Sequence, residues 1–117
     1  NPHIIFFCQN IKNVDIKKYG PLIENHELFP KKCNVTIAQK INDQHYIIKV
    51  WERGAGLTKA CGTAACATSV AANLNKLENS ETKIEFSTGI LNIHIDEKLN
   101  IKMKGPVSEI ESIKIKI

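Results

Sequence analysis

The chain has 117 residues, 43% of them hydrophobic and 24% charged, with a net charge of +4. That length makes one domain with a core that needs no disulfide support, and the composition is that of an ordinary soluble globular protein. No apolar run approaches the roughly 20 residues that span a bilayer, and the scattered lysines carry no interleaved aromatics, which argues against membrane insertion and a nucleic-acid partner.

The opening Asn1-Pro2-His3 has neither an initiator Met nor a basic-then-apolar leader, so the chain reads as a piece cut from a longer protein and not as a signal peptide. His3 to Cys8 is a short apolar run consistent with a buried strand. Val14 to Asn25 reads as a modest helix with Asp15 near its start and Pro21 as an early break or bend. Leu28-Phe29-Pro30 makes a turn. Cys33 to Lys40 alternates as a strand, Asn42-Asp43 turns, and His45 to Trp51 returns as the second arm of a hairpin.

After a glycine-bearing loop, residues 62 to about 77 form the strongest helix, small or apolar around most of its circumference, as in a helix enclosed by other structure. Strands are expected at Thr82–Ser87, Ile90–Asp96, Leu99–Lys104 and Ile110–Ile117, with turns at Gly89, Glu97-Lys98 and Gly105-Pro106. About seven strands and one buried helix describe an α+β domain, a curled mixed sheet, barrel-like, wrapped around a central helix.

The chemistry concentrates in residues 52 to 66, Glu-Arg-Gly-Ala-Gly-Leu-Thr-Lys-Ala-Cys-Gly-Thr-Ala-Ala-Cys. Cys61 stands where the alanine-rich helix begins, and there unpaired N–H groups and the helix dipole favour a thiolate, so its thiol should be more acidic than a free cysteine. The N–H groups from Gly62 and Thr63 onward can hold a carboxylate, and Gly62 leaves that approach unobstructed. Taken alone, Cys61 reads first as a small buried residue at a cap. Arg53 is the only arginine among sixteen basic residues, and a guanidinium grips a carboxylate bidentately where lysine cannot.

Glu52 and Arg53 are neighbours on a strand, so they need not both face a ligand. His3 is either a catalytic partner or a strand-end surface histidine. Asn34, unusual in a strand, is either edge-exposed or a deliberately placed amide. Cys66 lies about 140° further round the helix than Cys61 and reads as core, as do Cys8 and Cys33 in their strands. None of the four cysteines forms a C-x-x-C pair, so reduced thiols in a cytoplasmic protein are expected, with no metal site.

Together these residues resemble the C-terminal half of the diaminopimelate epimerase family. Four pieces match in order: Asn1-Pro2-His3; Asn34-Val35; Glu52 to Gly56 leading to Ala60-Cys61-Gly62-Thr63; and Lys104-Gly105-Pro106-Val107. The Glu-Arg and Ala-Cys-Gly-Thr spacing is the specific part. The chain departs from the family at Leu57, where many members have Glu, and at Ala64, where many have Gly.

The resemblance implies a single domain over residues 1–117, one of two similar domains facing each other across a cleft. Each contributes one cysteine, the thiolate removing the α-proton while the other thiol protonates the opposite face, with no cofactor. Cys61 would be one of the pair, with Glu52 and His3 near the reacting centre. Gly62 and Thr63 would hold the reacting carboxylate, Arg53 the distal carboxylate, and Asn1, Asn34 and Glu52 would complete the substrate contacts. The implied partners are diaminopimelate and an N-terminal domain supplying the second cysteine, with room for a homodimer. Without that domain the isolated chain would be inactive. Three other readings stay open: a related two-cysteine racemase on another amino acid, a non-catalytic binding or dimerisation half-domain, and a thiol hydrolase, for which no oriented Cys–His–Asn/Asp set is evident.

Overall fold

The computed structural model describes residues 3–28, 33–52, 56–58, 61–105 and 110–114. In chain order they form β1 (His3–Cys8), a short 3-10 turn (Ile11–Asn13), α1 (Ile16–Glu24), β2 (Asn34–Asn42), β3 (His45–Glu52), β4 (Gly56–Thr58), α2 (Gly62–Ala72), β5 (Ser80–Phe86), β6 (Gly89–Ile95), β7 (Asn100–Lys104) and β8 (Ile110–Lys114). The fold is α+β. The main path of the sheet runs β1-β2-β3-β5-β6-β7-β8, and β4 folds back onto β3 as a hairpin arm.

Two of the pairings are parallel, β1 with β2 and β3 with β5, and each is joined through a helix. Strands β1 and β3 run in opposite directions, and both crossovers step the same way along the sheet. Crossovers of one hand then put the two helices on opposite faces. The packing agrees. Ile11 and Ile16 cluster with Ile37, Ile47 and Trp51 on one face, while α2 beds among Ala38, Ile48, Val50, Ile84, Ile93, Ile95 and Ile101 on the other.

Helix α2 touches β1, β2, β5, β6 and β7. Its buried positions are Ala64, Ala65, Cys66, Thr68 and Ser69, small enough for close approach to the sheet. Beneath it Ile84, Ile93 and Ile95 are almost wholly buried, each contributing about 1.5–3 kcal/mol relative to exposure.

Three expectations need correction. Strands β1 and β8 are the two edges and do not pair, so among the described residues the sheet is open, and the second helix covers its other face. Helix α2 ends at Ala72, because Asn73 closes it. The Asn73 amide donates to the Ser69 carbonyl at 2.7 Å and to the Thr82 hydroxyl at 2.9 Å, leaving Leu74 exposed. Pro21 lies inside α1, and the helix runs on for three residues to Glu24. The missing N–H of Pro21 removes one bond from a helix only nine residues long, and packing supplies the rest.

The turns follow local chemistry. Asn42 accepts from the Gln44 N–H at 2.9 Å in the β2–β3 turn. Asp96 accepts from the N–H groups of Lys98 and Asn100 between β6 and β7, which holds its carboxyl below the usual range. Phe29, Pro30, Pro106 and residues 115–117 of the expected last strand lie outside the described residues. No described helix is long and apolar enough to cross a membrane.

Candidate active site

Side chains alternate across a strand, so the buried partners of each residue say which face it occupies. Ile5, Ala38, Ile48 and Val50 all pack on the α2 side. By the same alternation His3 on β1, Asn34 on β2 and Glu52 on β3 project to the α2 side at one end of their strands. His3 pairs with Asn34, and one step beyond the Val35–Trp51 pair Asn34 stands opposite Glu52. Three polar residues, distant in sequence, thus form one row across three adjacent strands.

This arrangement bears on one of the open alternatives. Asn34 is buried on an internal strand, so it is not an edge residue. His3 is half-buried, and its Nδ1 is sealed from solvent without a hydrogen bond. Burial pushes the imidazole below its ordinary pKa, with the Glu52 carboxylate pulling the other way. Asn1 and Arg53 lie outside the described residues.

Cys61 is the N-cap of α2, in extended conformation, and its Sγ accepts the Ala64 N–H at 3.4 Å. The Thr63 hydroxyl lies 3.3 Å from the same sulfur. Glu52 approaches the thiol from β3 closely enough that its carboxylate raises the thiol pKa. Gly62 is half-buried and Thr63 exposed, so the first turn of α2 faces outward beside the thiol. Gly62 also borders Met103 of β7, since a Cβ built on it would stand 3.0 Å from Met103 Cε and 3.1 Å from Sδ. The sequence reading omits Met103; the available signal was the alternation that sets it on the same face as buried Ile101.

The expected acidity of Cys61 is reversed. Burial raises its pKa above the ordinary cysteine value. The Thr63 hydroxyl and the Ala64 N–H favour the thiolate, but Glu52 opposes them, as hydrogen-bond acceptor for the S–H and as a nearby negative charge. A helix N-terminus alone lowers a thiol pKa; here desolvation and the carboxylate outweigh it. Alkylation of Cys61 by iodoacetamide, followed by peptide mass, is therefore expected to show a pH midpoint above that of free cysteine. Glu52→Gln should move that midpoint down, since it removes the negative charge while leaving an acceptor and the cap. An unmoved midpoint in Glu52→Gln would place the carboxylate out of contact with the thiol.

The other cysteines stand apart from this cluster. Cys33 and Cys66 are buried, Cys8 is half-buried, and none of them forms a disulfide. Burial raises the pKa of Cys8 and of Cys33.

The sequence aligns with known proteins over its full length. It is 63% identical over 117 residues to a diaminopimelate epimerase of Pelagibacter ubique, covering 100% of this chain and 43% of that relative. It is 44% identical over 111 residues to one of Phocaeicola vulgatus, covering 94% of this chain and 40% of the relative. It is also 44% identical over 118 residues to one of Desulforapulum autotrophicum, covering 100% and 42%. The chain thus spans less than half the length of these relatives and matches their C-terminal portion. The family model described as diaminopimelate epimerase matches residues 1–110. With that match covering nearly all of its residues, the chain belongs to the diaminopimelate epimerase family.

Proposed function

We propose that this chain is the half of a cofactor-independent epimerase that carries one of two catalytic thiols, acting on L,L- and meso-diaminopimelate. The observation that carries the reading is the thiol at the N-cap of α2, with Glu52 on the same side of the sheet, beside the outward-facing first turn of the helix. The substrate carboxylate next to the reacting carbon sits on the N–H groups of Gly62 and Thr63, where the helix dipole and the absence of a Gly62 side chain favour it. Negative charge developing on the α-carbon spreads into that carboxylate and is stabilised by the same donors.

One thiolate takes the α-proton while the opposing thiol gives a proton to the other face, and the product differs from the substrate only in configuration. Cys61 acts as acid in one direction and as base in the other. Its raised pKa keeps it protonated at rest, ready for the donor role. Glu52 and His3 set the charge around it. Asn1, Asn34 and Glu52 contact the substrate, and Arg53 clasps the distal carboxylate.

The second thiol comes from an N-terminal domain facing this one, so the isolated chain is inactive. The sheet curls around α2 with β1 and β8 left as open edges, and two such enzymes can pair as a homodimer. The reaction belongs to lysine and peptidoglycan precursor synthesis in the cytoplasm.

The test joins this chain to the N-terminal portion of the Pelagibacter ubique relative, in place of that protein's own C-terminal portion. The chimera, given L,L-diaminopimelate in deuterated water, should form the meso isomer with deuterium at the inverted carbon. The chain alone should do neither. A folded chimera that leaves the substrate unexchanged would overturn the reading.

A further inference from the structure

We propose that Trp51 is a positioning residue which, wedged between α1 and the β3–β4 hairpin, holds the end of β3 so that Glu52 meets Cys61. The proposal rests on the assignment of Cys61 and Glu52 above. Trp51 is the only tryptophan in the chain and lies on the face opposite Glu52, packed with Ile11, Ile16 and Ile37.

Three contacts fix its ring. The indole N–H donates to Glu24 Oε1 at 2.7 Å, and that glutamate, at the end of α1, is only 6% exposed. Gly20 presses on the near side, where a built Cβ would lie 2.6 Å from Trp51 Cγ and 2.7 Å from Cδ2. Gly56 covers the far edge, with the corresponding distances 3.6 to 3.9 Å to Cη2, Cζ2 and Cζ3.

Gly56 is also the hairpin partner of Glu52, and its φ of +79° is one that L side chains rarely adopt. Trp51 therefore touches both α1 and the residue that pairs with Glu52. Because adjacent strand residues point to opposite faces, a ring locked behind β3 fixes where the next side chain projects in front. A small displacement there separates the carboxyl from the sulfur. Among the described residues, the titratable groups facing this corner are Glu52 from β3 and His3 from β1; α2 and β7 bring Thr63 and Met103, which do not titrate.

The readout is the pH dependence of Cys61 alkylation in this chain, which needs no catalytic activity. Trp51→Leu should move the midpoint down toward that of Glu52→Gln, with the rate near neutral pH rising by about threefold. Glu24→Leu should do the same to a lesser degree, and Glu24→Gln, which keeps an acceptor for the indole N–H, should behave as the parent. In the Glu52→Gln background, Trp51→Leu should add no further shift. The proposal is overturned if both Trp51→Leu and Glu24→Leu keep the parent midpoint, or if Trp51→Leu shifts it equally without Glu52. An inactive parent chimera would overturn the proposed function, while this titration would still decide the role of Trp51.

Discussion

Cys61→Ala, introduced into the chimera with the Pelagibacter ubique N-terminal portion, is expected to lower kcat by about 10²–10⁴-fold, the range that a positioned acid or base supplies. The loss should fall on kcat and not on KM. The carboxylate-holding N–H groups of Gly62 and Thr63 belong to the backbone and survive the substitution, so ground-state binding is retained. Structure should survive too. Cys61 is a small, 9% exposed residue, and its replacement by alanine removes a cap in which sulfur accepts the Ala64 N–H at 3.4 Å, at a cost of about 0.5–2 kcal/mol.

Cys61→Ser separates the two effects. A hydroxyl restores a capping acceptor but is a far weaker acid than a thiol, so stability should return and activity should not. If Cys61→Ala epimerised the substrate at the parent rate, the thiol would have no part in proton transfer, and the likeness of site and family would extend only to fold.

Gly20→Ala is expected to lower stability, with a sign that opposes simple helix propensity. Gly20 is interior to α1, and exchanging glycine for alanine in a helix interior gains about 1 kcal/mol. The added methyl, however, would stand 2.6 to 2.9 Å from Cγ, Cδ2 and Cβ of Trp51. Those atoms are the root of the side chain, tied at its other end to Glu24, so the ring cannot swing clear. Overpacking of this kind costs about 1–3 kcal/mol, leaving a net loss of up to about 2 kcal/mol. For a domain of this size that lowers the urea midpoint by up to about 1 M.

The mechanism has its own control. With Trp51→Leu in place the ring is gone, and Gly20→Ala should become neutral or stabilising, a coupling between neighbours that additive effects would not produce. Equal destabilisation in both backgrounds would show that the methyl meets something other than the indole.

The legibility of this chain varies by element. Apolar alternation located β2, β3, β5, β6 and β7 to within two or three residues, because each of these strands buries one face and the period of two survives in the sequence. The start of α2 was legible from Cys61-Gly62-Thr63 followed by alanines. Its end was not, since Leu74 and Leu77 continue the apolar pattern while the Asn73 amide bonds to Thr82, a partner nine residues away. The short β4 was missed because Gly56–Thr58 has no period to read; it exists only as a ladder against Val50, Trp51 and Glu52.

What the sequence by itself determined is the chemistry available: one thiol at a helix start, a glutamate and the sole arginine ahead of it, and a family motif at fixed spacing. These are local signals, carried by residue type and by neighbours a few positions apart. The tertiary structure decided what those groups experience. Strand order, which no periodicity encodes, sets His3, Asn34 and Glu52 in one row and leaves β1 and β8 as separate edges. Burial and the approach of Glu52 decide the sign of the Cys61 shift, since desolvation and a charge from a neighbouring strand outweigh the helix terminus that the sequence displays.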